Sequence, residues 1–221
     1  MSAAERLEQF RAELREASVG LAAAPTLIVI TKFHPDELVR ELFDAGQRHF
    51  GENRHPEARN KRSGLDEDEA VWHFVGQLQR NKVRQVARYA DVLHAVDRKE
   101  IIELLETGED IPTRDVFLQV NLTDDPGRGG VDDAGFEALA ERAAESSAVR
   151  VHGVMAVAPL DETPERAHER IAAYSQRLLR ILPNATSISS GMSSDWRSAL
   201  RYGATHLRIG TAITGSRPDS A

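Results

Sequence analysis

Cysteine is absent from the 221 residues of this chain, and several kinds of site are thereby excluded. Disulfide bonds, thiolate-bound zinc, iron–sulfur clusters and cysteine nucleophiles all require a thiol. The chain does not depend on such cross-links, because a protein of this length removes roughly 70% of its unfolded surface from water. We therefore expect a single domain over residues 1–221, in which residues 216–221 form a disordered tail.

A surplus of positive charge is also lacking. Lysine and arginine total 28 against 35 aspartate and glutamate residues, so the formal net charge is −7. Proteins that bind nucleic acids or anionic membranes through their charge carry clusters of basic residues. We therefore expect neither nucleic acid nor a membrane among the partners.

Long apolar runs are missing as well. The uncharged stretch from Val19 to Thr31 is interrupted by Pro25 and falls short of the about 18 apolar residues that a membrane helix needs. The N-terminal segment mixes both charge signs, unlike a secretory signal peptide. These features and the absence of cysteine are compatible with a cytoplasmic protein, which is the location we expect.

Short apolar runs alternate with amphipathic segments along the chain. The first run, Thr26–Thr31, is apolar on both faces, as expected of a parallel strand that helices cover. Further strands are predicted near Arg48–Gly51, Val71–Gly76, Val92–Val96, Val116–Asn121, Val151–Val157, Thr186–Ser189 and His206–Ile209. The spacing of Leu7, Phe10 and Leu14 predicts an amphipathic helix ahead of the first strand.

Eight strands that alternate with helices in about 220 residues predict a closed (β/α)8 barrel, the TIM-barrel fold, with an extra N-terminal helix. The alternative is an open, doubly wound sheet. Against it, the turn after the first strand reads Thr31-Lys-Phe-His-Pro35 and lacks the GxGxxG pattern of dinucleotide-binding folds.

Helix signals between the strands support this alternation. Pro35 and Gly46 lie where a helix would begin and end. Asp97 and Glu100 have the spacing of a capping box, and we interpret Asp97 as a helix cap rather than as a catalytic group.

Lys32 is the most informative residue at the end of a predicted strand, where (β/α)8 barrels place their working groups. It continues the alternating series Thr26, Ile28, Ile30 and therefore shares a face with apolar side chains. If that face is the barrel interior, desolvation favours the neutral amine, which can attack a carbonyl as a Schiff-base lysine. The alternative is a lysine that extends to solvent, which is the commoner situation for this residue type.

Two loops of small residues are predicted at the same end of the barrel. Ser189-Ser-Gly-Met-Ser-Ser-Asp195 follows the seventh strand and leads into a helix, so its backbone N–H groups favour an anion. Arg208-Ile-Gly-Thr211 ends the eighth strand with a glycine that permits close approach and with a hydroxyl group. Loops after strands seven and eight frequently hold phosphate in such barrels. Either loop alone could be a turn followed by a helix cap. Together with a lysine on strand one, the two loops predict a pocket for a phosphorylated aldehyde.

The remaining motifs assign no metal site and no other nucleophile. His73 lies in a strand, where a lone histidine is more often structural than catalytic. The eight histidines form no HxH or HExxH pair, so no metal site is assigned. Neither a GxSxG elbow nor a P-loop is present. Arg128, in the glycine-rich stretch 124–130, is interpreted as a solvated charge.

Eight short blocks of sequence follow one another over nearly the whole chain. They are Ile30-Thr-Lys-Phe-His-Pro35, Phe50-Gly-Glu-Asn53, Trp72-His-Phe-Val-Gly-Gln-Leu-Gln-Arg-Asn-Lys82, His94-Ala-Val-Asp-Arg98, Gln119-Val-Asn121, Gly153-Val-Met-Ala156, Ser189-Ser-Gly-Met-Ser193 and Arg208-Ile-Gly-Thr-Ala-Ile213. In order and spacing they resemble the blocks of the pyridoxal 5′-phosphate homeostasis proteins, whose fold is similar to the N-terminal barrel domain of alanine racemase. Ser190 stands where many members of that family have methionine, and Thr214 where many have phenylalanine.

The resemblance implies pyridoxal 5′-phosphate as the cofactor. The cofactor-binding residues that it implies are Lys32, Asn53, Ser189, Arg208, Gly210 and Thr211. Among them Lys32 would form the Schiff base, Asn53 would lie beside the cofactor, and Arg208 would face the pyridine nitrogen. The other three would hold the phosphate.

An arginine against the pyridine nitrogen has a chemical consequence. A guanidinium group donates a hydrogen bond but keeps its proton, so the ring stays unprotonated and withdraws electrons less strongly. Related racemases take a second base from a C-terminal β-domain and a partner subunit. Here Tyr89, Tyr174 and Tyr202 are the three tyrosines, and all fall within predicted helices or at their ends. We therefore expect no second base and assign no catalytic residue.

Three hypotheses follow from these observations. The first is a monomeric carrier that holds pyridoxal phosphate as a Schiff base on Lys32 and delivers it to apo-enzymes without efficient turnover. The second is a small pyridoxal-phosphate-dependent amino-acid racemase built on the barrel alone. The third is a Schiff-base aldolase that uses Lys32 and the phosphate of its own substrate.

Overall fold

Eight parallel strands close into a barrel in chain order. The computed structural model describes residues 1–65, 69–108 and 110–216. The strands are β1 Thr26–Ile30, β2 His49–Glu52, β3 Val71–Phe74, β4 Val92–Val96, β5 Arg114–Gln119, β6 Val149–Met155, β7 Ser187–Ser189 and β8 His206–Ile209. β8 pairs back onto β1 with Val29 opposite Ile209, so the sheet has no open edge. The predicted closed barrel is confirmed, and the open doubly wound sheet is excluded.

Helices follow the strands and cover the outside of the barrel. In the described residues they are α1 Ala3–Ala17, α2 Asp36–Asp44, α3 Glu57–Arg62, α4 Val83–Ala87, α5 Lys99–Glu106, α6 Phe136–Ala144, α7 Pro164–Leu179, α8 Trp196–Arg201 and α9 Thr211–Thr214. α1 is the predicted extra helix: it buries Leu7, Phe10 and Leu14, and Ser2 and Glu5 form a capping box at its start.

The capping box predicted for α5 is wrong. The residue that precedes α5 is Arg98, so Asp97 lies one position too early to reach the first N–H groups of the helix. Its carboxylate instead accepts a hydrogen bond from the N–H of Gly130 at 3.2 Å and pairs with the guanidinium of Arg98 at 2.5 Å. Asp97 therefore connects the turn after β4 to the glycine-rich loop after β5.

Within the described ranges, no helix has the length and apolar character needed to cross a membrane. The predicted tail, residues 216–221, lies outside the described residues apart from Ser216.

We expect Gly153→Ala to destabilise the barrel. Gly153 in β6 pairs with Ser187 in β7, and an added Cβ would overlap the carbonyl oxygen of Ser187. Overpacking of this kind costs about 1–3 kcal/mol or more.

Gly64→Ala is the matched control, because a Cβ there would approach no atom closer than the Lys61 carbonyl oxygen at 3.4 Å. It should change the free energy of unfolding by less than about 0.5 kcal/mol. Urea denaturation followed by tryptophan fluorescence measures both variants. Equal effects of the two substitutions would contradict the close packing of β6 against β7.

Candidate functional site

Lys32 lies at the carboxyl end of the barrel, in the turn that follows β1. The side chains of Ile28 and Ile30 face the barrel interior, where an added Cβ on Gly51 would meet both of them. The alternating series predicted from the sequence therefore does face inward along the strand. Lys32 itself is half-buried in this turn.

The turn that carries Lys32 has an unusual backbone conformation. Phe33, the next residue, has a φ of 69°, in the left-handed region that side chains rarely adopt. Such a conformation costs of order 1–3 kcal/mol and persists only where its surroundings fix it. Here the Phe33 N–H donates to Glu57 Oε1 at 3.1 Å, and the N–H of His34 donates to the Thr31 carbonyl at 3.1 Å.

A buried ion cluster adjoins this turn. Lys61 of α3 is 3% exposed, and its Nζ donates to the Thr31 carbonyl oxygen, to Glu52 Oε1 and to Glu57 Oε1 at 2.9, 2.7 and 2.9 Å. Glu52, at the end of β2, is 1% exposed and also accepts from the Thr31 hydroxyl at 2.7 Å. Burial raises the pKa of Glu52, and the neighbouring ammonium group of Lys61 opposes that rise.

Arg208 and Ser189 meet inside the barrel. Arg208 of β8 is 5% exposed; its Nη1 donates to Ser189 Oγ at 2.7 Å and its Nη2 to the Ala156 carbonyl oxygen at 2.8 Å. Burial lowers the pKa of Arg208 to about 10, which leaves the guanidinium charged at neutral pH. Among the described residues, Asp195 is the carboxylate whose charge opposes this lowering, but the two side chains form no direct ion pair. A buried cation of this kind favours a ligand that supplies acceptor atoms.

The two loops predicted to hold an anion lie side by side. Gly210 follows β8, and Thr211, an exposed residue, begins α9. The N–H of Ala212 donates to Ser193 Oγ at 3.3 Å, which joins the turn after β8 to the loop after β7. An added Cβ on Gly210 would lie 3.7 Å from the Cβ of Ile30, so this turn adjoins the strand that leads to the lysine.

Asn53 lies next to the buried glutamate at the end of β2. Its Oδ1 atom is buried and has no hydrogen-bond partner among the described residues. An added Cβ on Gly76 would overlap the Asn53 backbone, so only a glycine permits this approach of the turn after β3. A cavity of about 270 Å³ adjoins the asparagine, with Leu78 and Lys82 among its lining residues.

A chain of hydrogen-bonded imidazoles runs through the barrel interior to Ser189. His94 Nδ1 lies 3.0 Å from Ser189 Oγ, and its Nε2 lies 2.9 Å from His73 Nδ1. His73 Nε2 in turn lies 2.9 Å from His49 Nδ1. Two more strand histidines, His152 and His206, pack against the neighbouring ring of Phe117.

The donor and acceptor roles along this row of imidazoles follow from Ser189 at its end. Because Ser189 Oγ accepts from Arg208, its own hydroxyl can donate to His94 Nδ1. His94 then donates from Nε2 to His73, and His73 from Nε2 to His49. Every imidazole in this arrangement is neutral. Burial accordingly holds the pKa values of His73 and His94 well below their ordinary range.

Sequence reasoning missed two parts of this site. The sequence pattern presents His73 as a lone strand histidine, whereas it is the middle of a three-imidazole chain. The available signal was the inward position of histidines on three consecutive strands. Lys61 was not singled out at all, because nothing in a charged helical segment distinguishes a buried lysine from a solvated one.

In the part of the chain that the structure describes, no group of three or more acidic and histidine side chains is arranged to hold a metal ion.

Sequence comparison decides the family. The family described as "Alanine racemase, N-terminal domain" matches residues 6–218. The pyridoxal phosphate homeostasis protein of Pseudomonas aeruginosa is 35% identical over 221 residues, which cover 97% of this chain and 95% of that protein. The chain belongs to the pyridoxal phosphate homeostasis protein family. The resemblance inferred from the eight sequence blocks is thereby confirmed.

Solved structures agree with this family. PipY of Synechococcus elongatus, solved with pyridoxal phosphate bound, has a TM-score of 0.83 and 33% identity, and the match covers 97% of this chain and all of PipY. An alanine racemase of Corynebacterium glutamicum has the same fold, with a TM-score of 0.74 at 15% identity. That match covers 97% of this chain but 61% of the racemase.

We expect the protein to lose stability as the pH falls below about 6.5, because burial lowers the pKa values of the strand histidines His73, His94 and His206. Burial, and then the neighbouring His152, His49 and Arg208, lower the pKa of His206 from 6.5 to about 4. Between these values the unfolded chain binds more protons than the folded chain, so stability present above pH 6.5 is lost towards pH 4. His206 alone contributes up to about 3 kcal/mol.

Urea unfolding at a series of pH values measures this effect. The His206→Leu variant should show a shallower loss of stability than the wild type over the same range. Parallel pH profiles for the two proteins would contradict the role assigned to this imidazole.

Proposed function

We propose that this protein binds pyridoxal phosphate at the carboxyl end of its barrel, as a Schiff base on Lys32, and acts as an intracellular carrier of the cofactor. The observation that carries the proposal is the buried guanidinium of Arg208, which forms no direct ion pair with a carboxylate in the described ranges. The family resemblance assigns this guanidinium to the pyridine nitrogen of the cofactor. Membership of the homeostasis protein family and the cofactor-bound structure of PipY support the same reading.

The residues present fit this cofactor. Arg208 supplies a fixed donor, and Asn53 supplies a buried oxygen whose hydrogen-bonding capacity is unused. The turn at Gly210 and Thr211 adjoins both Ser193 and the strand that leads to the lysine. Ser189 is fully buried, and its hydroxyl is hydrogen-bonded inside the barrel. A phosphate would therefore contact the loop that follows Ser189 rather than its hydroxyl group. When bound, pyridoxal phosphate supplies an electrophilic aldehyde on an electron-withdrawing ring.

Arg208 also favours a carrier over an enzyme. Its pKa of about 10 keeps the proton on the guanidinium at neutral pH, so the group donates to a pyridine nitrogen without protonating it. The tyrosines are placed in the helical layer rather than on the strands: Tyr174 in α7 donates its hydroxyl to Asp133, while Tyr89 and Tyr202 follow α4 and α8. None of the three lies on a strand, so none is placed to act as a second base from the barrel wall.

We expect added pyridoxal phosphate to give the wild-type protein a near-visible Schiff-base absorbance that survives desalting. Lys32→Ala should lose this band, because the reacting amine is gone. Lys99→Ala, which removes an exposed lysine at the start of α5, is the matched control and should keep it. A band that persists in Lys32→Ala, or that never appears in the wild type, would refute the proposal.

We expect no efficient amino-acid turnover. Exchange of the α-proton with deuterated water, measured by NMR on a panel of amino acids, should proceed no faster with the loaded wild type than with free pyridoxal phosphate. The physical reason is the unprotonated ring, which stabilises a carbanion weakly. Exchange at ordinary enzymatic rates would favour the racemase hypothesis instead.

We also propose that the carrier is a monomer in the cytoplasm and that it releases the cofactor to apo-enzymes. The Schiff base is reversible, so a second amine can displace Lys32 from it. Mixing loaded protein with an apo-enzyme tests the transfer, and sedimentation of the loaded protein tests the assembly state.

A further inference from the structure

The buried ion cluster holds the chain on both sides of Lys32. On the N-terminal side, Lys61 Nζ donates to the carbonyl oxygen of Thr31 at 2.9 Å. On the C-terminal side, the N–H of Phe33 donates to Glu57 Oε1 at 3.1 Å, and Lys61 bonds to that same oxygen at 2.9 Å. One ammonium group is therefore bonded to the N-terminal flank of the lysine directly and to the C-terminal flank through Glu57.

The second carboxylate fixes the position of this ammonium group. Glu52 Oε1 accepts from Lys61 Nζ at 2.7 Å and from the Thr31 hydroxyl at 2.7 Å. Because Glu52 ends β2, the cluster is anchored to the barrel wall next to β1. The left-handed backbone at Phe33 is thus held between a strand and α3.

Lys61 is not itself suited to react with an aldehyde. Its amine makes three hydrogen bonds and is 3% exposed, so it is held as a charged donor between two carboxylates. Lys32 is half-buried at the mouth of the barrel. The two lysines therefore differ in their surroundings: Lys61 is held in a buried ion cluster, and Lys32 lies half-buried in the turn after β1.

We propose that Lys61 is a positioning residue for Lys32: with Glu52 and Glu57 it fixes the backbone of residues 31–33, so that the Lys32 amine reaches the aldehyde of pyridoxal phosphate. This inference rests on the proposed function. It predicts that a protein without this ammonium group folds but forms the Schiff base slowly, because the turn samples conformations in which the amine is misplaced.

The principal test uses a double variant that removes the buried charges together. Lys61→Met alone would leave Glu52 buried and uncompensated, which can prevent folding. Lys61→Met/Glu52→Gln removes both charges and retains an acceptor for the Thr31 hydroxyl. Lys61→Arg is the conservative variant, and Lys99→Met is the control for the loss of a lysine elsewhere.

Two readouts are measured on each protein. The first is the rate at which the Schiff-base absorbance grows after pyridoxal phosphate is added. We expect this rate to be lower in the double variant by about tenfold or more. Lys61→Arg should recover part of the rate, and the control should match the wild type. The second is hydrogen exchange of the amides of Phe33 and His34 without cofactor, which should be faster in the double variant while amides of the β-strands keep their protection.

Glu57→Ala gives an independent arm should the double variant fail to fold. It removes the acceptor of the Phe33 N–H but leaves the buried Lys61–Glu52 pair intact. We expect faster exchange at Phe33 and slower Schiff-base formation.

The outcomes separate the two proposals. A folded double variant, or Glu57→Ala, with a wild-type rate and wild-type exchange would overturn the positioning role and leave the proposed function in place. Absence of the band in the wild type would refute the proposed function, and the reactive role of Lys32 with it.

Discussion

The parallel pairing of β8 with β1 is the constraint on which the site depends. It closes the barrel and places the end of the last strand beside the end of the first, with Ile209 opposite Val29. Residues almost 180 positions apart thereby come to one rim: Lys32 after β1 and Gly210 after β8. Parallel closure also puts the carboxyl ends of all eight strands at that rim, which is why the short loops after them can form one pocket.

Two buried cations within this frame are stabilised in different ways. Lys61 forms ion pairs with Glu52 and Glu57, so its charge is neutralised by carboxylates of the protein itself. Arg208 bonds to a hydroxyl and a carbonyl, and in the described residues the charge of Asp195 acts on it without a direct ion pair. The barrel interior thus keeps a directed donor, and the neutral imidazole chain behind Ser189 supports it without adding charge.

The sequence predicts the barrel and the position of Lys32 because hydrophobic alternation is a local property of each strand. It fails where a contact depends on neighbours far along the chain. Asp97 has the spacing of a helix cap, but a start one residue later lets the carboxylate take the N–H of Gly130 instead. The link between His73 and His94 and the burial of Lys61 arise only when strands and helices from separate blocks pack together.

The most direct measurement is reduction of the loaded protein with borohydride, followed by peptide mass mapping. The chain has only four lysines, Lys32, Lys61, Lys82 and Lys99, so each has an unambiguous peptide. The account predicts one reduced pyridoxyl phosphate group, on Lys32. A group on any of the other three lysines, or on none, would contradict it.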